Sequence, residues 1–164
     1  MLRIWFNQTY ATNAQVIEML RANPDGRALH VIGTHPDLDS PVPRACDHAE
    51  QEPRLEPGEY VEWALEFARR HRVEVLVPRL HMAELADARE RFAAVGTRLM
   101  CADGDTVRLF ADKAAAFGAA AEIDVPVPPY RVVNDSAGLR AAHAELSGLA
   151  TAVCMKPTSG TAGA

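Results

Sequence analysis

The chain is short of several things that would each point to a function. No apolar run approaches the ~20 residues that a bilayer-spanning helix needs, and Met1 to Phe6 is too short for a signal peptide, so a cytoplasmic protein with no membrane partner is expected. The only cysteines, Cys46, Cys101 and Cys154, form an odd set without CxxC spacing. Neither a disulfide framework nor a cysteine-held zinc is indicated, and buried thiols are the expectation. His30, His35, His48, His71, His81 and His143 are scattered with no HxxxH or HExxH spacing, so no metal site is predicted. A net charge of -5 gives no electrostatic reason to seek nucleic acid. After the first strand, Asn7-Gln8-Thr9-Tyr10 stands where a dinucleotide-binding GxGxxG would be, which argues against ordinary NAD binding. There is no Gly-Lys-Ser/Thr ending of a Walker motif, no internal repeat and no low-complexity tract.

What remains is an ordinary globular composition. With 164 residues, 48% hydrophobic and 24% charged, the chain is long enough to bury roughly 70% of the surface that its unfolded form exposes. The first part alternates short apolar runs with amphipathic stretches, the pattern of a parallel sheet covered by helices. Leu2 to Phe6 reads as a strand, followed by a helix from Thr12 or Asn13 to about Leu20 that ends at Asn23-Pro24-Asp25-Gly26. Ala28 to Gly33 reads as a second strand, Thr34 to Pro41 as a loop, and a short third strand is expected near Ala45-Cys46-Asp47. Asp37 and Asp39 are read as turn residues, and Glu50 to Glu59 as a charged, solvated loop. Tyr60, Trp63, Ala64 and Phe67 recur at helical spacing over Glu59 to His71, and Val73 to Pro78 is rich in β-branched residues. A helix from His81 to Val95 capped by Gly96, then a strand over Thr97 to Cys101, completes a Rossmann-like layer of about four or five parallel strands.

The texture changes near Asp103. Thr106 is read as the cap of a short helix, Asp112-Lys113 lie in an alanine-rich helix ending near Ala121, and Val125 to Tyr130 is a proline-held extended linker. Ser136 opens another helix to about Leu146. Ala152 to Lys156 reads as a strand leading into Pro157-Thr158-Ser159-Gly160-Thr161-Ala162-Gly163. Small residues let backbone N–H groups point at a polyanion, so this loop suits phosphates, with Lys156 adding a point charge.

Asp112-Lys113 on a helix, the proline linker, a helix, then Val153-Cys154-Met155-Lys156-Pro157 and a small-residue loop together resemble the opening of the ATP-grasp fold. The Rossmann-like part resembles the domain that precedes it. The resemblance implies an α/β fold with a pre-ATP-grasp domain over 1–103 and the first fragment of the nucleotide domain over 104–164. It also implies that the parent is an ATP-dependent carboxylate-amine or related ligase working through an acyl-phosphate with ATP and magnesium, its acceptor and carboxylate unspecified. Lys113 and Lys156 match the family's phosphate-contacting lysines, and Ser159, Gly160, Thr161 and Gly163 match its phosphate loop, with fewer glycines than is common. The purine hinge, the acidic magnesium ligands and the catalytic arginine are expected beyond Ala164, so catalysis by these residues alone is not expected. A strand at 152–156 without later strands leads to the expectation of disorder after about Thr158 or a homodimer through residues 125–164. The competing reading is a stand-alone Rossmann-like module that binds a small ligand or partner and has no enzymatic activity.

Overall fold

The computed structural model describes residues 1–7 and 11–159. The chain divides into two compact units, Met1–Val107 and Arg108–Ala164. In the first, the elements run β1 (Leu2–Phe6), α1 (Asn13–Arg21), β2 (Leu29–His35), α2 (Pro41–Ala45), β3 (His48–Gln51), α3 (Pro57–His71), β4 (Val75–Val77), α4 (Met82–Asp87), α5 (Arg89–Ala94) and β5 (Arg98–Leu99). The strands form one five-stranded sheet in the order β3-β2-β1-β4-β5, and every pair is parallel. The register sets Ile4 beside Val31 of β2 and Val75 of β4.

Side chains alternate across a strand, so β1 feeds two separate cores. Trp5, with Ile32, Leu76 and Leu99, packs against Tyr60, Ala64 and Phe67 of α3 and against Leu85 and Phe92. Ile4 and Phe6, with Val31 and Val75, pack against Ile17 of α1 and Val42 of α2. Both faces of the sheet are thereby covered, as a parallel sheet requires. Gly33 permits the approach of α2: a Cβ there would lie 2.6 Å from Cys46 Sγ.

The second half of the first βαβ series differs from the sequence reading. Pro41 at the first position of α2, with its φ preset for a helix, starts a turn where only loop was expected. Residues 45–47 are not the third strand, which lies at 48–51. Asp47 instead clamps β2, its N–H donating to Val31 O at 2.9 Å and its carboxylate accepting from Val31 N at 2.7 Å. The helix expected over 81–95 is two helices meeting at Ala88. Gly96, at φ 85, does end the second.

α6 (Gly104–Ala111) is capped by Asp103, not by Thr106. The Asp103 carboxylate accepts from Thr106 N at 2.8 Å and Thr106 Oγ1 at 2.9 Å. In the second unit, α7 (Lys113–Glu122) is capped by Asp112, which accepts from Ala114 N and Ala115 N, and α8 (Ser136–Ser147) by Asp135, which accepts from Gly138 N. Phe117 and Tyr130 meet edge to face at 5.1 Å between ring centres, and Arg131 pairs with Glu145. Residues 152–157 form no strand. An apolar run becomes a strand only when a ladder partner takes its backbone groups, and none of the described segments does so. No helix among the described residues is long and apolar enough to cross a membrane.

Candidate functional site

In an open parallel sheet, ligands bind beyond the carboxyl ends of the strands, where successive connections leave in opposite directions. Here that point lies between β1 and β4, since the chain passes from β1 outward to β2 and β3 and then returns to β4 on the other side of β1. Asn7, one residue past β1, sits there fully buried. Its Nδ2 donates to Tyr60 Oη at 2.9 Å and to Leu80 O at 3.1 Å. Its Oδ1 accepts from Arg79 N at 2.6 Å. The amide therefore ties the segment after β4 to the end of β1 and to α3.

A second polar chain runs beside it. Trp5 Nε1 donates to Thr34 Oγ1 at 2.9 Å, and Thr34 Oγ1 donates to Glu52 Oε2 at 2.5 Å. Glu52 is only 2% exposed, although its segment reads as a solvated loop in sequence. The difference is one of register: Glu52 N donates to His35 O at 3.0 Å, extending the β2 edge by one residue and turning the side chain inward. Burial raises the Tyr60 hydroxyl well above the usual tyrosine range, and the Glu52 carboxylate adds to that shift, while the bond from Asn7 works the other way. Tyr60 is therefore a hydrogen-bonding group and not a base. Pro36, Gln51, Glu52, Pro53 and Arg54 line an open cleft of about 550 Å³ next to this network. Asp37 Oδ1 accepts from Asp39 N at 2.9 Å, a contact within the turn.

The phosphate-loop residues expected from sequence belong to the second unit. Lys113 N donates to Thr158 O at 2.8 Å, so the amino end of α7 and the segment after Lys156 are neighbours. Lys113 is half-buried, and Lys156 and Ser159 are exposed. Gly160, Thr161 and Gly163 lie outside the described residues. Sequence reasoning passed over Asn7, Glu52 and Tyr60 as a set. Their one available signal was the position of Asn7 directly after the first strand.

No family model matches the chain, and no curated protein matches it. Solved structures do. The biotin carboxylase domain of a single-chain bacterial carboxylase superposes with a TM-score of 0.55 at 24% identity, over 90% of this chain and 35% of that one. The biotin carboxylase domain of Hydrogenobacter thermophilus 2-oxoglutarate carboxylase, solved with MgADP, ADP and bicarbonate, gives 0.56 at 15% identity over 87% and 32%. N5-carboxyaminoimidazole ribonucleotide synthetase from Thermotoga maritima gives 0.52 at 16% over 88% and 36%. The likeness is one of fold, an α/β arrangement with a five-stranded parallel sheet shared with the matched part of these biotin carboxylase domains. The chain spans about a third of the length of these structures.

Proposed function

We propose that this chain is the amino-terminal portion of an ATP-grasp ligase that joins a carboxylate to an amine or a related acceptor, and that its second unit contributes contacts to ATP phosphates. The observation that carries the reading is the Lys113 N to Thr158 O bond, which makes neighbours of the two segments chosen from sequence for phosphate binding. The likeness to biotin carboxylase domains over about nine-tenths of the chain, one of them solved with MgADP, supports it. In this reading Lys113 and Lys156 offset repulsion among phosphate oxygens, and Ser159, Gly160, Thr161 and Gly163 offer hydroxyl and backbone N–H groups to them.

The donor set of the second unit fits a nucleotide phosphate better than a magnesium ion. Asp112 and Asp135 are spent on helix caps and Glu145 on Arg131, and no cluster of three carboxylate, histidine or cysteine groups forms among the described residues there. Magnesium would accompany the nucleotide in the complete enzyme, where it would neutralise charge on the transferred phosphoryl group. The exposed Ile123, Val125, Val132, Leu149, Val153 and Met155 give residues 125–164 and the adjoining helix end apolar surface that a homodimer would cover.

MgATP titrated into the chain, followed by ³¹P line broadening and calorimetry, tests the reading. Weak saturable binding is expected. A charge-assisted hydrogen bond is worth about 1.5–3 kcal/mol, so Lys113→Ala and Lys156→Ala should each weaken it about tenfold or more. Unchanged binding in both folded variants, or none in the parent chain, rejects the site and favours the stand-alone binding module.

A further inference from the structure

At the β3 edge of the sheet, three side chains from two elements converge. His48 and Glu50 alternate onto one face of β3, and His71 is the last residue of α3. His48 Nε2 and His71 Nε2 each lie 2.8 Å from the same oxygen, Glu50 Oε1. One ligand atom from each of the three lies within 4.8 Å of the others.

The surroundings fix these groups. Phe67 stacks on the His71 ring at 4.3 Å between centres, and the His48 and His71 rings are 5.0 Å apart. Arg70 Nη2 donates to Glu50 Oε2 at 2.8 Å, which orients the carboxylate and leaves Oε1 for the imidazoles. Hydrogen bonds alone do not account for the arrangement. Arg70 Nε is 3.2 Å from His71 Nε2 and needs a lone pair there, whereas the Glu50 oxygen 2.8 Å away needs a proton there. Either tautomer of His71 leaves one of the two contacts unmatched.

We propose that His48, Glu50 and His71 form a divalent-cation site of the zinc type, with two imidazole nitrogens and one carboxylate oxygen as protein ligands and at least one position open to water or an exogenous ligand. Two histidines and a carboxylate suit borderline cations. Ligand distances of about 2.0–2.2 Å in a tetrahedral site separate donor atoms by about 3.4 Å, so each imidazole would withdraw slightly from the Glu50 oxygen. The Arg70 charge sets a limit, and micromolar affinity is expected. The site is independent of the nucleotide reading above, since none of its residues belongs to the second unit.

Zn²⁺ and Co²⁺ titrated into the whole chain provide the test, by calorimetry and by visible absorption of bound Co²⁺. One equivalent should bind, with the imidazole nitrogen resonances of His48 and His71 shifting together. Glu50→Gln and His71→Gln should each weaken binding at least about tenfold, a loss typical of disturbed metal sites, while Cys154→Ser and His35→Gln leave it unchanged. The nitrogen shifts in the unaltered chain serve as readout should a variant fail to fold. Absence of saturable binding, binding that survives Glu50→Gln, or shifts confined to other histidines or cysteines would overturn the proposal.

Discussion

Replacing Asn7 by alanine probes whether the switch point of the sheet is held by one amide. The side chain is fully buried, and its removal strands Arg79 N, Leu80 O and part of the bonding of Tyr60 Oη. Each buried polar group left without a partner costs about 1–3 kcal/mol. Arg79 and Leu80 are in a partly buried segment that water can reach, and Tyr60 keeps its interaction with Glu52, so the lower half of that range applies to each. The expected loss is about 3 kcal/mol, from three groups at about 1 kcal/mol each. Trp5 and Trp63, the only tryptophans, meet edge to face at 5.8 Å inside the first unit, so their fluorescence reports the unfolding of that unit without contribution from the second. Urea titration followed at tryptophan emission measures the change. Asn7→Asp should be at least as harmful, because it removes the donor to Leu80 O and adds a carboxylate next to the Tyr60–Glu52 pair. A loss below about 1 kcal/mol in Asn7→Ala, with unchanged urea dependence, would refute the argument that the amide organises the crevice.

Gly33→Ala should destabilise the first unit by about 1–3 kcal/mol, the usual cost of overpacking, because its Cβ would meet Cys46 Sγ at 2.6 Å; Gly33→Ala combined with Cys46→Ala should regain most of the loss in the same urea assay. Burial pushes the Cys46 thiol up to about 11, so mass spectrometry after alkylation at mildly alkaline pH should find exposed Cys154 modified well before Cys46, and equal rates would contradict the packing of α2 on the sheet. The bonds from Thr106 N and Thr106 Oγ1 hold the Asp103 carboxyl below its ordinary 3.8. Its contribution to α6 is therefore present above pH 3.8 and fades as pH falls through the depressed value, so the Thr106 amide resonance should titrate in that window and lose the titration in Asp103→Asn.

The parts of the fold that sequence disclosed are those whose own periodicity decides them. Ile4 to Phe6 and Val75-Leu76 are buried on both faces and read as short apolar runs, and α3 shows its core face through Tyr60, Ala64 and Phe67. β3 was hidden because it is an edge strand of sequence HAEQ, with no residue fully buried and with a glutamate that read as the start of a charged loop. Its existence rests on pairing with β2, which no local window contains. The error at 152–156 has the same origin with opposite sign, an apolar run without a ladder. The crevice was illegible for a related reason. Asn7 is 53 residues from Tyr60 and 72 from Arg79, so only the return of β4 beside β1 brings them together. The Lys113 N to Thr158 O bond joins segments 45 residues apart, which no local pattern states.

Burial separates the two units physically. In the first, both sheet faces are closed by helices, and Trp5, Tyr60, Phe67 and Phe92 are all nearly inaccessible. In the second, no described side chain from Arg108 onward is fully buried, and α7 is 10 residues long. Isolated helices shorter than about 12–15 residues are marginal in water even with good propensity, and helices in proteins draw most of their stability from packing an apolar face. The alanines of α7 and the Asp112 cap favour the helix locally, but caps contribute only about 1 kcal/mol. Packing of an apolar surface or binding of a ligand would add order to the second unit. On the proposed nucleotide reading, a polyanion bridging Lys113 and the segment after Lys156 would supply it where the Lys113 N to Thr158 O bond joins the two, and nucleotide binding and folding of the second unit would then be one linked equilibrium.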